Sequence, residues 1–451
     1  MSTHSEPNPG VTEELPGMID TDLPLADAAD GLAQGSLTDA AEPAVAQLPR
    51  IAQALRHRDF RLFWMGNFLS NIGTWMQNVA QGWLVLKLTN SAFWLGVVGF
   101  AASIPILFFA LIGGVIADNM NKRKLLMMTQ SAMMVFAFIM SALAYWKNGT
   151  VIKVYEIVLL AFGTGVAMSL NTPTYQALVP QLVPRKDLTN AIALNSAQFN
   201  MSRVVGPTLG GFAMSLFGVA GNFFLNGLSF LAVIFALSQI RYNKREASGE
   251  GHLWHKLKQG FTYVFSHPEM LSLIMVIGIG SLLAIPFITF VPYFARDVLH
   301  ADERGLGILM ACSGSGAFLG AATIAHRGRM PRPGLFVLCT GLASFAGIVV
   351  FTFSRSFYFS GALLVVIGYC MILMIATINS LLQHLAEDHM RGRVMSIYST
   401  AFLGLPPIGC LIAGSLAHLF NAPHAIASMA LLAGVGVSIV FMTRKELRQL
   451  N

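Results

Sequence analysis

The sequence predicts an all-α membrane protein of twelve transmembrane helices arranged as two six-helix pseudo-repeats. Three observations carry that prediction: the balance of apolar and charged residues, a series of apolar stretches of bilayer-spanning length, and an echo between the two halves. Of 451 residues, 55% are hydrophobic and only 11% charged, with a mean hydropathy of +0.62. A soluble domain carries roughly 25% charged residues, so these charges are too few to cover a water-facing surface. The composition excludes an ordinary cytosolic enzyme and a disordered chain, and makes lipid the main solvent.

Residues 1–50 hold nine acids and one base, Arg50, a net charge of −8 that leaves +15 for the remainder. This segment is rich in Ser, Pro, Gly, Ala, Asp and Glu and reads as an acidic disordered cytoplasmic tail. It has neither the basic n-region nor the apolar h-region of a cleavable signal peptide. The basic balance elsewhere fits residues flanking membrane spans better than a nucleic-acid surface. Cys312, Cys339, Cys370 and Cys410 fall in apolar stretches without CxxC spacing or a nearby histidine. They read as small hydrophobes in packed helices, with no disulfide framework and no metal site.

A spanning helix needs about 20 mostly apolar residues. In chain order the candidates are 60–86, 93–117, 125–146, 154–178, 190–217 and 219–240, forming an N-terminal half over 51–240. After a longer connection, 241–268, come 269–295, 305–325, 334–353, 357–382, 393–418 and 422–443, a C-terminal half over 269–443. Residues 444–451 form a basic tail. The connection is polar to about Gly251; then Leu253, Trp254, Leu257, Phe261, Val264 and Phe265 recur at helical spacing. That pattern predicts an amphipathic helix on the inner membrane surface, or alternatively a solvated linker helix. With both termini cytoplasmic, inside segments hold 22 of the 29 Lys and Arg residues and outside segments six, which sets the expected orientation.

The halves echo each other. Asp118 to Lys124, after the second span, is matched by His326 to Arg332 after the eighth, and Asn171 to Gln176 by Asn379 to Gln383. The offsets are 205 for Lys122 to Arg327 and 208 for Asn171 to Asn379. Two duplicated six-helix halves with a site between them are the architecture of many secondary transporters.

The connection after the second span reads Gly-Gly-Val-Ile-Ala-Asp-Asn-Met-Asn-Lys-Arg-Lys from Gly113 to Lys124. It resembles the loop signature of the major facilitator superfamily at Gly114, Asp118, Lys122 and Arg123. Asn119 stands where the family prefers a base, and Asn121 where it prefers Gly; Asn tolerates the left-handed backbone a Gly would supply. The resemblance implies that Asp118 engages the start of the eleventh span, near Arg391 and Arg393, where a helix N-terminus also attracts a carboxylate. In the fifth span, Arg203, Gly206, Pro207, Gly210 and Gly211 resemble the fifth-helix signature of exporters in that superfamily, with Ala193 and Ser202 in place of two upstream glycines. Ala80 to Leu86, Gly260 to Pro268 and Arg391 to Ser396 resemble bacterial members grouped with the enterobactin exporter. The likeness runs from about Arg56 to Arg444. It implies efflux of a siderophore or similar organic molecule across the bacterial inner membrane, with drug and antibiotic exporters in the same group.

Helical phase supplies cavity candidates. At 100° per residue, Asn67, Asn71, Thr74, Asn78 and Gln81 fall within an arc of about 80° on the first span. Asn195, Gln198 and Ser202 share the Gly206 face of the fifth, and Thr164, Asn171 and Tyr175 align on the fourth. Such residues either line a polar cavity or bond neighbouring helices, at roughly 0.6 kcal/mol each. Arg203 is the clear charge deep in a span, costing about 2.5–3.5 kcal/mol at a helix centre. It either attracts an anionic substrate or snorkels toward a carbonyl. No P-loop, HExxH or GxSxG motif occurs, and no cofactor is expected. The expected partners are a small-molecule substrate, the lipid bilayer and, by family analogy, a coupling proton; the chain is expected to be monomeric and to bind no nucleic acid. Secondary export is the reading adopted; an importer of the same fold and a membrane sensor or assembly factor are the alternatives.

Overall fold

α1 (Arg58–Thr89) is a 32-residue helix that ends where Asn90 turns left-handed at φ 46°. Its start is tied to the fifth pass, since His57 Nε2 lies 2.8 Å from Asp187 Oδ2. It belongs to a computed structural model that describes residues 50–146, 152–240, 253–328 and 330–449. The acidic tail over 1–49 and the polar stretch 241–252 of the linker lie outside the described residues.

α2 (Ala92–Asn119) and α3 (Lys122–Trp146) follow. α4 (Val154–Leu178) and α5 (Leu188–Gln239) complete the passes before the linker. α5 is two passes in one run: Gly218 sits at φ 68°, ψ −179°, a conformation L side chains rarely adopt, and breaks the helix there. Pro105, Pro173 and Pro207 lie inside helices without ending them, as neighbouring helices in a membrane bundle permit.

After the linker come α6 (Leu253–Ser266), α7 (Pro268–Leu283) and α8 (Phe287–Tyr293). α9 (Glu303–Arg327) starts at Asp302, whose carboxylate accepts from Gly305 N at 2.8 Å. α10 (Pro333–Phe353) and α11 (Phe357–Leu385) precede a second broken pass, α12 (Arg391–Gly404) and α13 (Pro406–Phe420). α14 (Ala422–Thr443) and the short α15 (Lys445–Gln449) end the described chain.

Two expected spans are therefore discontinuous. In 269–295 the break falls at Ala284 to Pro286, and in 393–418 at Leu405, before Pro406 and Pro407. Proline lacks the donor and clashes with the preceding turn, and apolar periodicity alone does not register it. Within the expected tail 444–451, α15 tucks Leu447 against the bundle at 1% exposure.

Among the described residues, ten helices are long and apolar enough to cross a membrane. Division of α5 at Gly218, and inclusion of α1, whose polar stripe lowers its hydropathy, make that consistent with twelve passes. Leu159, Phe217, Phe235, Tyr358 and Met442 are each more than 60% exposed, an outer surface suited to lipid rather than water.

α1 packs on α5, α3 on α4 and α5, and α2 on α4; after the linker, α9 packs on α11, α10 on α11 and α14, and α7 on α13 and α14. The α2–α4 pairing of second and fourth passes is repeated as α9–α11, as duplication requires. α6 docks on α12: Val264 is 2% exposed, and a methyl at Gly260 would lie 3.1 Å from Arg393 Cβ. One face of the amphipathic helix is therefore taken up by protein, while Phe261 and Phe265 stay exposed.

The halves meet where α5 crosses α9 and α2 crosses α13. Both crossings are glycine on glycine. A methyl at Gly211 would lie 2.9 Å from Gly307 Cα, and one at Gly96 2.8 Å from Gly414 Cα, so only glycine permits this backbone approach. Gly82 of α1 meets Pro292 of α8 near the same end. These contacts lie toward the helix ends remote from the basic connections, called the far end below.

Candidate substrate site

The polar stripe of α1 is divided between two cavities. Toward the basic end, a cavity of about 570 Å³ lies among α1, α4 and α5, lined by Asn67, Asn71, Asn171, Thr172, Tyr175, Gln176, Asn195, Ser196, Phe199 and Asn200, among others. Toward the far end, Asn78 and Gln81 line a cavity of about 230 Å³ with Trp75, Gly82, Thr289, Pro292 and Met310. Thr74 borders neither; its Oγ1 donates to Ser70 O at 2.9 Å.

The amides of the larger cavity differ in availability. Asn171 Oδ1 accepts from Thr129 Oγ1 at 3.1 Å and from Gln130 Nε2 at 3.2 Å, so that oxygen bonds α3 to α4. The Tyr175 ring stands 5.2 Å from Phe63, centroid to centroid. Asn195 Oδ1 is buried without a partner. Gln198 and Ser202, both at most 1% exposed, are not lining residues, and their polar side-chain atoms also lack partners. A buried polar atom left unpaired costs about 1–3 kcal/mol, so this seam calls for water, ligand or another packing of the same helices.

Arg203 stands one turn beyond Phe199 and Asn200, between the two cavities. Its guanidinium lies 5.8 Å from the centroid of Trp75, and Trp75 in turn meets Phe199 edge-on at 6.1 Å. One ring lines the far-end cavity and the other the basic-end cavity. Among the described residues no carboxylate pairs with Arg203. The rest of the fifth-helix motif is a packing surface. Gly206 abuts Trp75, Gly210 abuts Met76, and the Pro207 carbonyl would lie 2.8 Å from a methyl at Gly307.

Sequence reasoning missed three features. Asn226 Nδ2 donates to Gln77 Oε1 at 2.7 Å, bonding the sixth pass to α1. Ser196 and Asn200 line the cavity, one helical step beside the stripe that phase selected on α5. At the far end, adjacent residues of α9 reach two helices of the other half: Trp83 Nε1 donates to Glu303 Oε1 at 3.0 Å, and Arg304 Nε donates to Ser215 Oγ at 2.8 Å. Trp83→Phe keeps an aromatic side chain but deletes the donor, along with part of the buried indole. It is expected to weaken far-end closure by about 1.5 kcal/mol, roughly tenfold in the open-to-closed ratio. Thiol labelling of Asn78→Cys from the far side, in a cysteine-free background, measures that ratio.

In the loop motif, Gly114 and Asp118 fall in the last turns of α2, and their side chains lie outside the described residues. Lys122 is 6% exposed at the start of α3, and Arg123 donates to Ser238 O at 2.6 Å. Arg391 bonds within its own connection, to Gln383 O at 3.0 Å and Asp388 Oδ1 at 2.7 Å, and Arg393 donates to Met390 Sδ at 3.0 Å.

Cavities inside two bundled six-helix halves, joined at backbone-close crossings, are the architecture of a membrane transporter. Over residues 51–450 the chain matches the profile described as transmembrane secretion effector, and it belongs to that family of the major facilitator superfamily. It is 23% identical over 395 residues to the staphyloferrin A transporter of Staphylococcus aureus, covering 84% of this chain and 95% of the relative. To the enterobactin exporter EntS of Citrobacter koseri it is 24% identical over 385 residues, covering 85% and 90%. Among solved structures, a bacterial homologue of the human lysosomal transporter Spinster, inward-facing and unoccupied, superposes with a TM-score of 0.68 at 14% identity, covering 87% of this chain and 98% of that one. The nucleoside transporter NupG gives 0.66 at 11% identity, covering 86% and 99%. These structural likenesses are of fold. The chain is thus a multi-pass transporter rather than an enzyme.

Proposed function

We propose that this transporter exports a small organic molecule, a siderophore, across the bacterial inner membrane by alternating access. One observation carries the reading: the amide-lined cavity sits toward the basic end, while the glycine crossings between halves run from the far end no deeper than the level of Arg203. With the basic end in the cytoplasm, as the distribution of Lys and Arg favours, that arrangement receives substrate from inside and is closed outward. Asn67, Asn71, Tyr175 and Asn195 would hydrogen-bond the ligand, and Arg203, one turn beyond the Phe199 and Asn200 lining, would attract its acidic group. Both named relatives carry siderophores, which supports the substrate class. Proton coupling and a monomeric state are proposed by family analogy, as is an Asp118 contact with the start of α12.

The test is metabolite profiling of deletion and complemented cells under iron limitation, comparing supernatant with cytoplasm. A siderophore that accumulates inside the deletion strain and is released on complementation is the expected result. Unchanged secretion would remove the siderophore assignment, and drug susceptibility with proteoliposome flux would then decide between efflux of another molecule and import.

A further inference from the structure

The basic-end cavity does not stop at the first half. Gln176 of α4 lines it and also lines an adjoining cavity of about 370 Å³, whose opposite wall is α12. Ser396, Ser399 and Thr400 are all exposed on that wall, while Val394, Ile397 and Tyr398 are buried behind them. These hydroxyls face the cavity, while the buried apolar side chains of α12 pack behind them.

The hydrogen bonding of this wall is one-sided. Ser396 Oγ donates to Gly392 O at 2.9 Å, and Thr400 Oγ1 donates to Ser396 O at 2.9 Å. Both protons are used within the helix, so the oxygens offer acceptor lone pairs to a ligand. The helix then breaks before Pro406 and Pro407. The carbonyls of Phe402 and Leu403 would receive the amide protons of those two residues, and proline has none. Of the two, Leu403 lies on the same wall, so its carbonyl is a further acceptor that lacks the usual helical donor. Neither a carboxylate nor a cation lines either cavity, so hydroxyls and amides supply the contacts along these walls, with Arg203 beyond them.

We propose that α12 is the second-half wall of the substrate site and that it binds O–H or N–H groups of the ligand through Ser396, Ser399, Thr400 and the Leu403 carbonyl. The transported molecule then carries hydroxyl, hydroxamic acid or amide donors on the side opposite the group that meets Arg203. This inference rests on the siderophore reading and narrows its chemistry.

The test uses the purified full chain in proteoliposomes with two probes, a catechol amide of serine and a linear trihydroxamate, each paired with its O-methylated analogue. The Ser399→Ala/Thr400→Val double variant should lower kcat/KM for the hydroxyl-bearing probe at least about tenfold, and for its methylated analogue less than about twofold. Ser399→Thr/Thr400→Ser keeps both hydroxyls and should restore transport, which separates lost recognition from a misfolded α12. Equal losses on both members of a pair, or no loss on either, overturn the α12 inference while leaving the siderophore reading intact. If the parent protein moves none of the four probes, the siderophore reading falls and the inference with it.

Discussion

Arg203→Ala is expected to lower export by about a hundredfold, with the protein still inserted in the membrane. A cation at the centre of a spanning helix costs about 2.5–3.5 kcal/mol. The Trp75 ring at 5.8 Å returns only about 0.5–2 kcal/mol. The position is therefore underpaired, and a ligand anion would complete it; loss of such a contact is worth about 3 kcal/mol. Arg203→Lys keeps the charge as a compact point without the planar fork and is expected to retain a minor fraction of activity. Export by cells matched for membrane-inserted protein checks both variants. Normal export by Arg203→Ala would leave the arginine only a packing role over Trp75.

The second large effect is expected at the α5–α9 crossing. A single methyl at Gly211 would lie 2.9 Å from Gly307 Cα and 2.7 Å from the Glu303 carbonyl, and Gly211→Val adds two more carbons. Overpacking costs about 1–3 kcal/mol where side chains can shift, and backbone against backbone leaves less room to yield. Closure of the far end should weaken by roughly a hundredfold, and transport should fall because the cycle stalls open outward. The readout is labelling of Asn78→Cys by an impermeant thiol reagent from the far side, in a cysteine-free background. Gly434→Ala is the control, since its methyl would meet only Leu342 at an ordinary 3.6 Å. If Gly211→Val exports normally and Asn78→Cys stays protected, the crossing is not the seal.

The architecture was legible because membrane helices must satisfy their backbone internally, so apolar stretches translate directly into passes. The breaks were less legible. Pro286 and Pro406 stand where helical hydrogen bonding lapses inside their spans, whereas Pro105, Pro173 and Pro207 lie inside helices that continue through them. Phase analysis placed Asn67, Asn71 and Asn195 beside one cavity, yet Gln198, on the same stripe, is 1% exposed and outside the lining. Phase gives a direction around one helix but not the position of its neighbours. Asn171 illustrates the same limit: its partners Thr129 and Gln130 come from α3, which the reading of α4 did not consider. The α12 hydroxyls escaped notice because short Ser and Thr side chains barely lower the hydropathy of a span.

The paired glycines at the far end also constrain the history of the molecule. At Gly96, Gly211, Gly307 and Gly414 every alternative residue is larger, so change can proceed in only one steric direction. Cavity positions such as Asn67, Asn71 and Asn195 accept exchanges among residues of similar size. Descendants of a common ancestor can therefore diverge in what they carry while keeping an unaltered closing surface. New cargo would arise through amide and hydroxyl exchanges along α1, α4, α5 and α12, whereas any side chain at the four glycines would spread the backbones that close the far end.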